Sequence, residues 1–249
     1  MLKLAFYGKG GIGKSTTVCN IAYALAEKGL QVMQIGCDPK ADSTAALLNG
    51  KRPTPVLELI RKYNDAFSWQ DMVSFGEKNI ACVEAGGPVP GMGCAGRGII
   101  NALEKLESKG AYSAIKPDVV LYDVLGDVVC GGFAMPMRNG YADKVYIITS
   151  GENMSIYAAA NIAMALKNFE NRNYARLGGF ILNCRDVKDE VSKAETLAED
   201  FSSSIAGVIP RSMVVSEAEE LQKTVLSAFP ESDMAKAYRA LAEKLLDME

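Results

Sequence analysis

Residues 8–15 read Gly-Lys-Gly-Gly-Ile-Gly-Lys-Ser and form a complete G-x-x-x-x-G-K-[ST] pattern. The pattern follows the apolar run Leu2–Tyr7 and precedes a stretch with helical periodicity, which is the context that a phosphate-binding loop requires. Its glycines let the backbone turn tightly and aim N–H groups at phosphate oxygens, and the N-terminus of the following helix attracts anions. A glycine-rich turn that binds nothing would not need all four anchors, so we predict a nucleotide-binding P-loop.

The two lysines of this loop have different expected roles. We expect Lys14 to reach the β- and γ-phosphates and the Ser15 hydroxyl to ligate Mg²⁺. Lys9 is too early to be the phosphate lysine of its own loop, and a lysine there resembles the deviant Walker A (SIMIBI) group of P-loop NTPases. Members of that group dimerise face to face around nucleotide, which implies a homodimer; the alternative for Lys9 is a solvated surface lysine. The other predicted contacts of the loop are Gly8, Gly10, Gly11, Ile12, Gly13 and Thr16.

Composition excludes several classes of protein. The chain has 249 residues, of which 49% are hydrophobic and 23% charged, and these are ordinary values for a globular protein. Its net charge of −3 gives no reason to expect nucleic acid or an anionic membrane as a partner. No apolar run approaches the roughly 18 residues of a membrane span, and the P-loop begins too early for a signal peptide, so we expect a cytoplasmic protein. The absence of histidine excludes histidine-based triads and histidine-ligated metals.

Apolar strand-like runs alternate with helical patterns along the chain. This alternation predicts a doubly wound α/β fold with a mostly parallel sheet that is covered on both faces. No linker, internal repeat or low-complexity segment interrupts the pattern, so we expect a single domain over residues 1–249. The predicted strands are Leu2–Tyr7, Gln31–Gly36, Ile80–Glu84, Val119–Asp123, Lys144–Thr149, Arg176–Asn183 and Ile205–Ile209. The predicted helices are Ser15–Lys28, Pro55–Lys62, Ile99–Lys109, Ser155–Asn171, Lys188–Phe201 and Met234–Met248.

Acidic residues follow two of these strands, at the edge of the sheet where ligands bind in such folds. Asp38 and Asp42 come after the second strand, whereas Asp123 ends the fourth strand and Asp127 follows four residues later. An acid that ends an apolar strand is the Walker B arrangement, suited to holding Mg²⁺ or its water, and Asp127 could position an attacking water. Each carboxylate could instead be a loop cap or a solvated charge. Beside an intact P-loop, however, the two segments are typical of nucleotide-responsive switches.

Two of the six cysteines differ from the others in their surroundings. Cys94 and Cys130 each lie among glycines and other small residues, which let backbone N–H groups approach the sulfur as a cluster thiolate requires. A 4Fe–4S cluster needs four thiolates, so two chains together would supply them; the alternative is two thiols that only pack. Cys130 lies three residues beyond Asp127, and this spacing predicts a mechanical link between nucleotide and cluster. The remaining cysteines are typical of small buried residues: Cys19, Cys37, Cys82 and Cys184.

Five segments together resemble the nitrogenase iron protein family, over nearly the whole chain to about residue 240. They are Gly8–Ser15, Gly36–Thr44, Gly93–Ile100, Tyr122–Pro136 and Ser150–Ile162. The resemblance implies a homodimeric ATPase that holds one 4Fe–4S cluster between its subunits. It further implies that the protein transfers low-potential electrons one at a time. The electrons would come from a donor such as ferredoxin or flavodoxin, and they would pass to a separate catalytic partner as MgATP is hydrolysed.

The resemblance also implies roles for individual residues. Cys94 and Cys130 would be the cluster ligands, Lys9 would act across the dimer, and Asp127 would sense the nucleotide. In the first switch, Lys40 and Asp42 would respond to nucleotide and Asp38 would assist hydrolysis. The adenine and ribose would be bordered by Asn183, Pro210 and Arg211, and Arg97 matches an arginine that is ADP-ribosylated in some members.

The chain departs from the usual nitrogenase form at several positions, among them Ala45, Val89 and Ser212-Met213. Charge changes near a docking face alter partner choice and association rate more than intrinsic chemistry. The resemblance therefore leaves open whether the chain is a dinitrogenase reductase or a nitrogenase-like reductase, and the departures favour the second. Two rival functions remain: a partition or division-site ATPase without redox chemistry, which would show a basic or membrane-binding surface, and a cluster-carrier ATPase, which would show a CxxC motif.

Overall fold

A computed structural model describes residues 1–87, 95–124, 135–137, 141–168 and 174–247. Its strands are β1 (Leu2–Tyr7), β2 (Val32–Gly36), β3 (Ser74–Phe75), β4 (Ala81–Glu84), β5 (Val119–Asp123), β6 (Lys144–Thr149), β7 (Arg176–Asn183) and β8 (Ile205–Ile209). Its α-helices are α1 (Lys14–Glu27), α2 (Val56–Tyr63), α3 (Trp69–Met72), α4 (Ala95–Ser108), α5 (Ala111–Ile115), α6 (Asn153–Lys167), α7 (Glu190–Asp200), α8 (Met213–Glu220), α9 (Val225–Ala228) and α10 (Asp233–Asp247). Short 3₁₀ turns span Ala45–Leu48, Glu77–Asn79 and Met135–Met137.

The strands lie in one sheet in the order β3-β4-β2-β5-β1-β6-β7-β8. All neighbouring pairs are parallel except β3 with β4. The predicted doubly wound, mostly parallel fold is therefore confirmed, and each of the seven predicted strands is present to within one residue. The antiparallel strand β3 was not predicted, because two residues are too few to show a periodic pattern.

The sheet is buried on both faces, and β1 shows how its residues divide between them. Leu4 and Phe6 belong to the apolar cluster that includes α1 and α10, whereas Ala5 and Tyr7 belong to the cluster that includes α4 and α6. Successive strand residues point to opposite faces, so a strand covered on both faces needs an apolar residue at every position. This explains the continuous apolar runs in the sequence.

Helix α10 packs against the sheet and α1. Its buried residues include Tyr238, Leu241 and Leu245, which share one cluster with Val18 and Leu25 of α1. The amphipathic pattern of residues 234–248 thus belongs to a core-packing helix, as the mixed charges of its outer face predicted. Among the helices that the structure describes, none is long and apolar enough to cross a membrane.

The strand order places the P-loop at the point where the chain changes direction across the sheet. β1 lies between β5 and β6, and the chain builds the β2 side before it returns past β1 to the β6 side. In such sheets the crevice at the carboxyl ends of the strands is where ligands bind. Registry aligns Phe6 with Asp123, Asp123 with Gly36 and Gly36 with Glu84, so these strand ends lie side by side.

Candidate functional site

The loop between β1 and α1 has the tight form that its glycines predicted. A Cβ at Gly8 would collide with the Ile148 carbonyl oxygen, because the loop passes directly over the end of β6. Gly13 has φ +88°, and a Cβ there would lie 2.7 Å from the Asn183 amide nitrogen. Helix α1 then begins at Lys14, so its unpaired backbone N–H groups face the loop. The arrangement is a cradle for phosphate groups.

Asp123, at the end of β5, is the anchor beneath this loop. Its side chain is only 1% exposed, and one carboxylate oxygen forms an ion pair with the ammonium group of Lys14. The Ser43 hydroxyl donates a hydrogen bond to the other oxygen. A single carboxylate thus holds the P-loop lysine together with the segment that follows β2.

The segment after β2 turns back over the carboxyl ends of the strands. The Lys40 backbone N–H donates to the Asp38 carboxylate at 2.8 Å, and Ala41 adopts a left-handed conformation with φ +51°. Asp38, Lys40 and Asp42 line the cleft, and Ser43, which also lines it, is almost fully buried. The structure therefore places the three predicted first-switch residues at the same cleft as the P-loop.

A third segment approaches the P-loop from β7. The Asn183 side-chain amide donates to the Ile12 carbonyl oxygen at 2.6 Å, and the Arg185 guanidinium donates to the Gly11 carbonyl oxygen at 2.9 Å. The Arg211 guanidinium in turn donates to the Arg185 carbonyl oxygen at 3.3 Å. Asn183, Pro210 and Arg211 thus line the same cleft as the P-loop.

These segments enclose an open cleft of about 1030 Å³. Seven basic side chains line it against three acidic ones, and this excess of positive charge favours a polyanionic ligand. The basic residues are Lys9, Lys14, Lys40, Arg52, Arg185, Arg211 and Lys223, and the acidic ones are Asp38, Asp42 and Glu219. Ser15, Thr16, Gly10, Gly11 and Gly13 also line it, whereas Gly8, Ile12 and Asp123 lie beneath its surface.

A second buried carboxyl group, that of Glu84 at the end of β4, lies next to this site. Its Oε1 accepts hydrogen bonds from the Thr44 backbone N–H and from the Thr44 hydroxyl, each at 2.7 Å. Burial raises the pKa of Glu84 to about 8, and nearby Asp123 and Asp42 act in the same direction. Its Oε2 is buried without a hydrogen-bond partner among the described residues.

The candidate cluster ligands Cys94 and Cys130, together with Asp127, lie outside the described residues, as does Val89. The strands that lead to them are described. β4 and β5 flank β2 and lie roughly 10 Å apart. Both cysteine-bearing segments therefore follow strands that end on the same side of the sheet. Arg97 is exposed on the first turn of α4.

The other four cysteines do not suit an exposed cluster. Cys19, Cys37 and Cys82 are buried in the core, where the loss of water raises the pKa of each thiol, that of Cys82 to about 12. Cys184 is partly exposed, and burial together with Glu190 raises its pKa to about 11. All four therefore disfavour the thiolate form that a cluster needs. Within the described ranges, no group of three or more cysteine or acidic side chains is placed to hold a metal ion.

Three residues of this site were not predicted from the sequence. Ser43 bonds to Asp123, and Arg185 bonds to Gly11. Glu84 contacts the site through its hydrogen bonds with Thr44. Glu84 carried a usable signal, because it ends an apolar strand as Asp123 does. Ser43 and Arg185 carried none, because their contacts join residues far apart in the sequence.

Comparison with known proteins gives a family match over residues 2–249, to the family described as 4Fe-4S iron sulfur cluster binding proteins, NifH/frxC family. The nitrogenase iron protein of Methanospirillum hungatei is 50% identical over 249 residues, which cover 99% of this chain and 88% of that protein. The nitrogenase iron protein of Methanococcus voltae is 47% identical over 248 residues, with 99% and 89% covered.

Solved structures with a similar fold share far less sequence. The cell division ATPase MinD of Pyrococcus furiosus has a TM-score of 0.75 at 18% identity, covering 100% of this chain and 99% of that one. A ParA family ATPase of Chlorobium tepidum has a TM-score of 0.73 at 19% identity, with 97% and 98% covered. At this level of identity the likeness shows the fold alone.

Proposed function

The chain belongs to the nitrogenase iron protein family, and we propose that it is the ATP-dependent reductase that passes single low-potential electrons to a nitrogenase or nitrogenase-like catalytic protein. Proteins of this family bind a 4Fe–4S cluster, depend on MgATP and function as homodimers with a catalytic nitrogenase partner. The observation that carries the proposal is the position of Asp123. It holds the P-loop lysine and Ser43, and its strand leads within seven residues to Cys130.

The cleft supports the nucleotide roles that we propose for its residues. Lys14 would exchange Asp123 for the β- and γ-phosphates, and the Ser15 hydroxyl would ligate Mg²⁺. Asp123, once released by Lys14, would accept a hydrogen bond from a water on Mg²⁺. The segment that begins at Asp38 would sense this exchange, because Ser43 shares the same carboxylate. Asn183 and Arg211 would border the base and ribose.

The hydrolytic roles involve both subunits. Lys9 lines the cleft, and we propose that it reaches the phosphates of the partner subunit. Asp38 would assist the attack of water, and Asp127 would report the nucleotide state to Cys130, three residues beyond it. In this proposal residues 1–249 act as one nucleotide-binding and iron–sulfur domain.

Cys94 and Cys130 would hold the cluster, two thiolates from each subunit. A 4Fe–4S cluster supplies one-electron chemistry at low potential. The fold supports this pairing, because β4 and β5 deliver both segments to one edge of the sheet. The donor would be a small low-potential carrier such as ferredoxin or flavodoxin.

Iron content and the spectrum of the reduced protein test this proposal. Anaerobically purified protein should contain about four irons per dimer and give an electron paramagnetic resonance signal that MgATP reshapes. Cys94→Ala and Cys130→Ala should each lose the iron, whereas the control Cys184→Ala should keep it. Absence of iron after reconstitution would contradict the reductase and favour a partition-type ATPase, and so would iron that survives in either cysteine variant.

A further inference from the structure

We propose that Glu84 is a positioning residue that couples the segment 38–44 to the strand leading to Cys94. The inference rests on the proposed function, because it assigns a role to the path between the nucleotide cleft and one cluster ligand. It concerns a contact that neither the P-loop nor the segment around Asp127 contains.

The contact itself is short, buried and doubled. Thr44 donates to Glu84 Oε1 from both its backbone N–H and its hydroxyl, each at 2.7 Å, and both residues are fully buried. Two hydrogen bonds to one oxygen fix the backbone of Thr44 against the end of β4. A displacement of the segment 38–44 must therefore move Glu84 or break both bonds.

Residues 85–87, which follow Glu84, rest on the elements around the cleft. The Ala85 backbone N–H donates to the Gly36 carbonyl oxygen at 2.8 Å, which extends the β2–β4 ladder. A Cβ at Gly87 would lie 2.5 Å from the Pro39 Cβ, so the two backbones lie close together. From Glu84 the chain has ten residues to Cys94.

A parallel arrangement exists on the other cysteine-bearing strand. Ser43 donates to Asp123 at the end of β5, while the next residue, Thr44, donates to Glu84 at the end of β4. Adjacent residues of one segment thus contact a carboxyl group at the end of each strand that leads to a predicted cluster ligand. Movement of this segment on nucleotide binding would reach both ligands together.

Because the second carboxyl oxygen of Glu84, Oε2, has no described hydrogen-bond partner, one substitution of this residue should preserve the coupling. Oε2 is buried without a partner among the described residues, and burial raises the pKa of this group, so the carboxyl stays neutral near pH 7. Only the acceptor Oε1 is then required. A glutamine supplies the same acceptor, whereas an alanine supplies none.

Hydrogen–deuterium exchange of the full-length protein, with and without MgADP or MgATP, tests the inference. In the wild type we expect nucleotide to change deuterium uptake in peptides that cover both 38–44 and 85–94. Glu84→Ala should still bind nucleotide and still respond at 38–44, but the response at 85–94 should be lost. Glu84→Gln should retain it. A full response at 85–94 in Glu84→Ala, or none in the wild type, would overturn the inference.

Thr44→Val provides a second, milder test if Glu84→Ala fails to fold. It removes the hydroxyl donor but keeps the backbone N–H, so the response at 85–94 should weaken. Thr149→Val is the matched control, because it removes another buried threonine hydroxyl at a strand end, one bonded to Ser155 instead. An unchanged response in Thr44→Val overturns the inference. Exchange requires no iron, so a lack of cluster would contradict the proposed function without affecting this test.

Discussion

Glu84 titrates differently in the folded and the unfolded chain. Burial raises its pKa to about 8 from an ordinary value of 4.5, so between these values the folded chain keeps a proton that the unfolded chain releases. The free energy of unfolding therefore falls as the pH rises through this window, by at most about 1.4 kcal/mol per pH unit. Because Glu84→Gln cannot titrate here, its stability relative to wild type should rise by about 2 kcal/mol between pH 6 and pH 8.

Urea denaturation of both proteins at the two pH values measures this difference. The sign is the important result, because an ordinary exposed glutamate is ionised in both states above pH 6 and would give no change. A stability difference between Glu84→Gln and wild type that does not depend on pH would contradict the buried neutral carboxyl.

Gly13 is constrained both by its backbone and by its neighbour. It has φ +88°, and an added Cβ would lie 2.7 Å from the Asn183 amide nitrogen. Gly29 has a similar φ of +86° but open space around it, so Gly29→Ala is a control for backbone strain alone. We expect Gly29→Ala to cost about 1 kcal/mol of stability and Gly13→Ala to cost more.

Gly13→Ala should also lose affinity for ATP, because the strain falls within the phosphate loop itself. Titration with a fluorescent ATP analogue and urea denaturation check the two effects. Wild-type affinity in Gly13→Ala, or a stability equal to that of Gly29→Ala, would show that the loop tolerates the side chain.

At the scale of elements, α10 is held by its apolar face rather than by its charges. Leu241 is 5% exposed and packs so closely on β8 that a Cβ at Gly207 would lie 2.5 Å from its Cδ1. Leu241→Ala should therefore cost about 2–4 kcal/mol of stability. Arg239→Ala, on the same helix, removes a partly exposed ion pair with Glu27 at 2.8 Å and should cost about 1 kcal/mol or less. Equal losses in denaturant unfolding would contradict this order.

The elements differ in how far the sequence could predict them. β1, β5 and β6 were predicted to the residue, because a strand buried on both faces shows as a continuous apolar run. Helix α9 was missed although Thr224 caps it, because four residues show little periodicity. Helix α8 was missed although Ser212 caps it, because it is much less amphipathic than α2, which has the same length and was predicted.

The candidate site likewise contains residues that the sequence could predict and contacts that it could not. The P-loop is contiguous, so its residues, their order and their glycine requirement could all be read from the sequence. The contacts of Ser43 with Asp123 and of Thr44 with Glu84 join residues 80 and 40 positions apart, and they depend on β5 and β4 both flanking β2. Strand order is a property of the whole sheet, and no local pattern encodes it.

At the scale of the whole molecule, the proposed role of Lys9 requires two subunits for each nucleotide. In a closed two-fold dimer, each site would combine Lys14 of one subunit with Lys9 of its partner. Lys9→Ala and Lys14→Ala homodimers should then both hydrolyse ATP poorly, because each lacks one of the two lysines at both sites. The two variants should nevertheless complement each other when they share a dimer.

A mixed dimer, isolated through two different affinity tags, separates action across the dimer from action within one chain. If Lys9 acts across the dimer, one site has both lysines and the other has neither, so about half of the wild-type ATPase rate should return. If Lys9 acts on its own loop, each site lacks one lysine and the rate should stay as low as in the parents. A doubly tagged Lys14→Ala dimer controls for the tags. Recovery would therefore assign Lys9 to the partner's nucleotide, and its absence would reduce Lys9 to a residue of its own cleft.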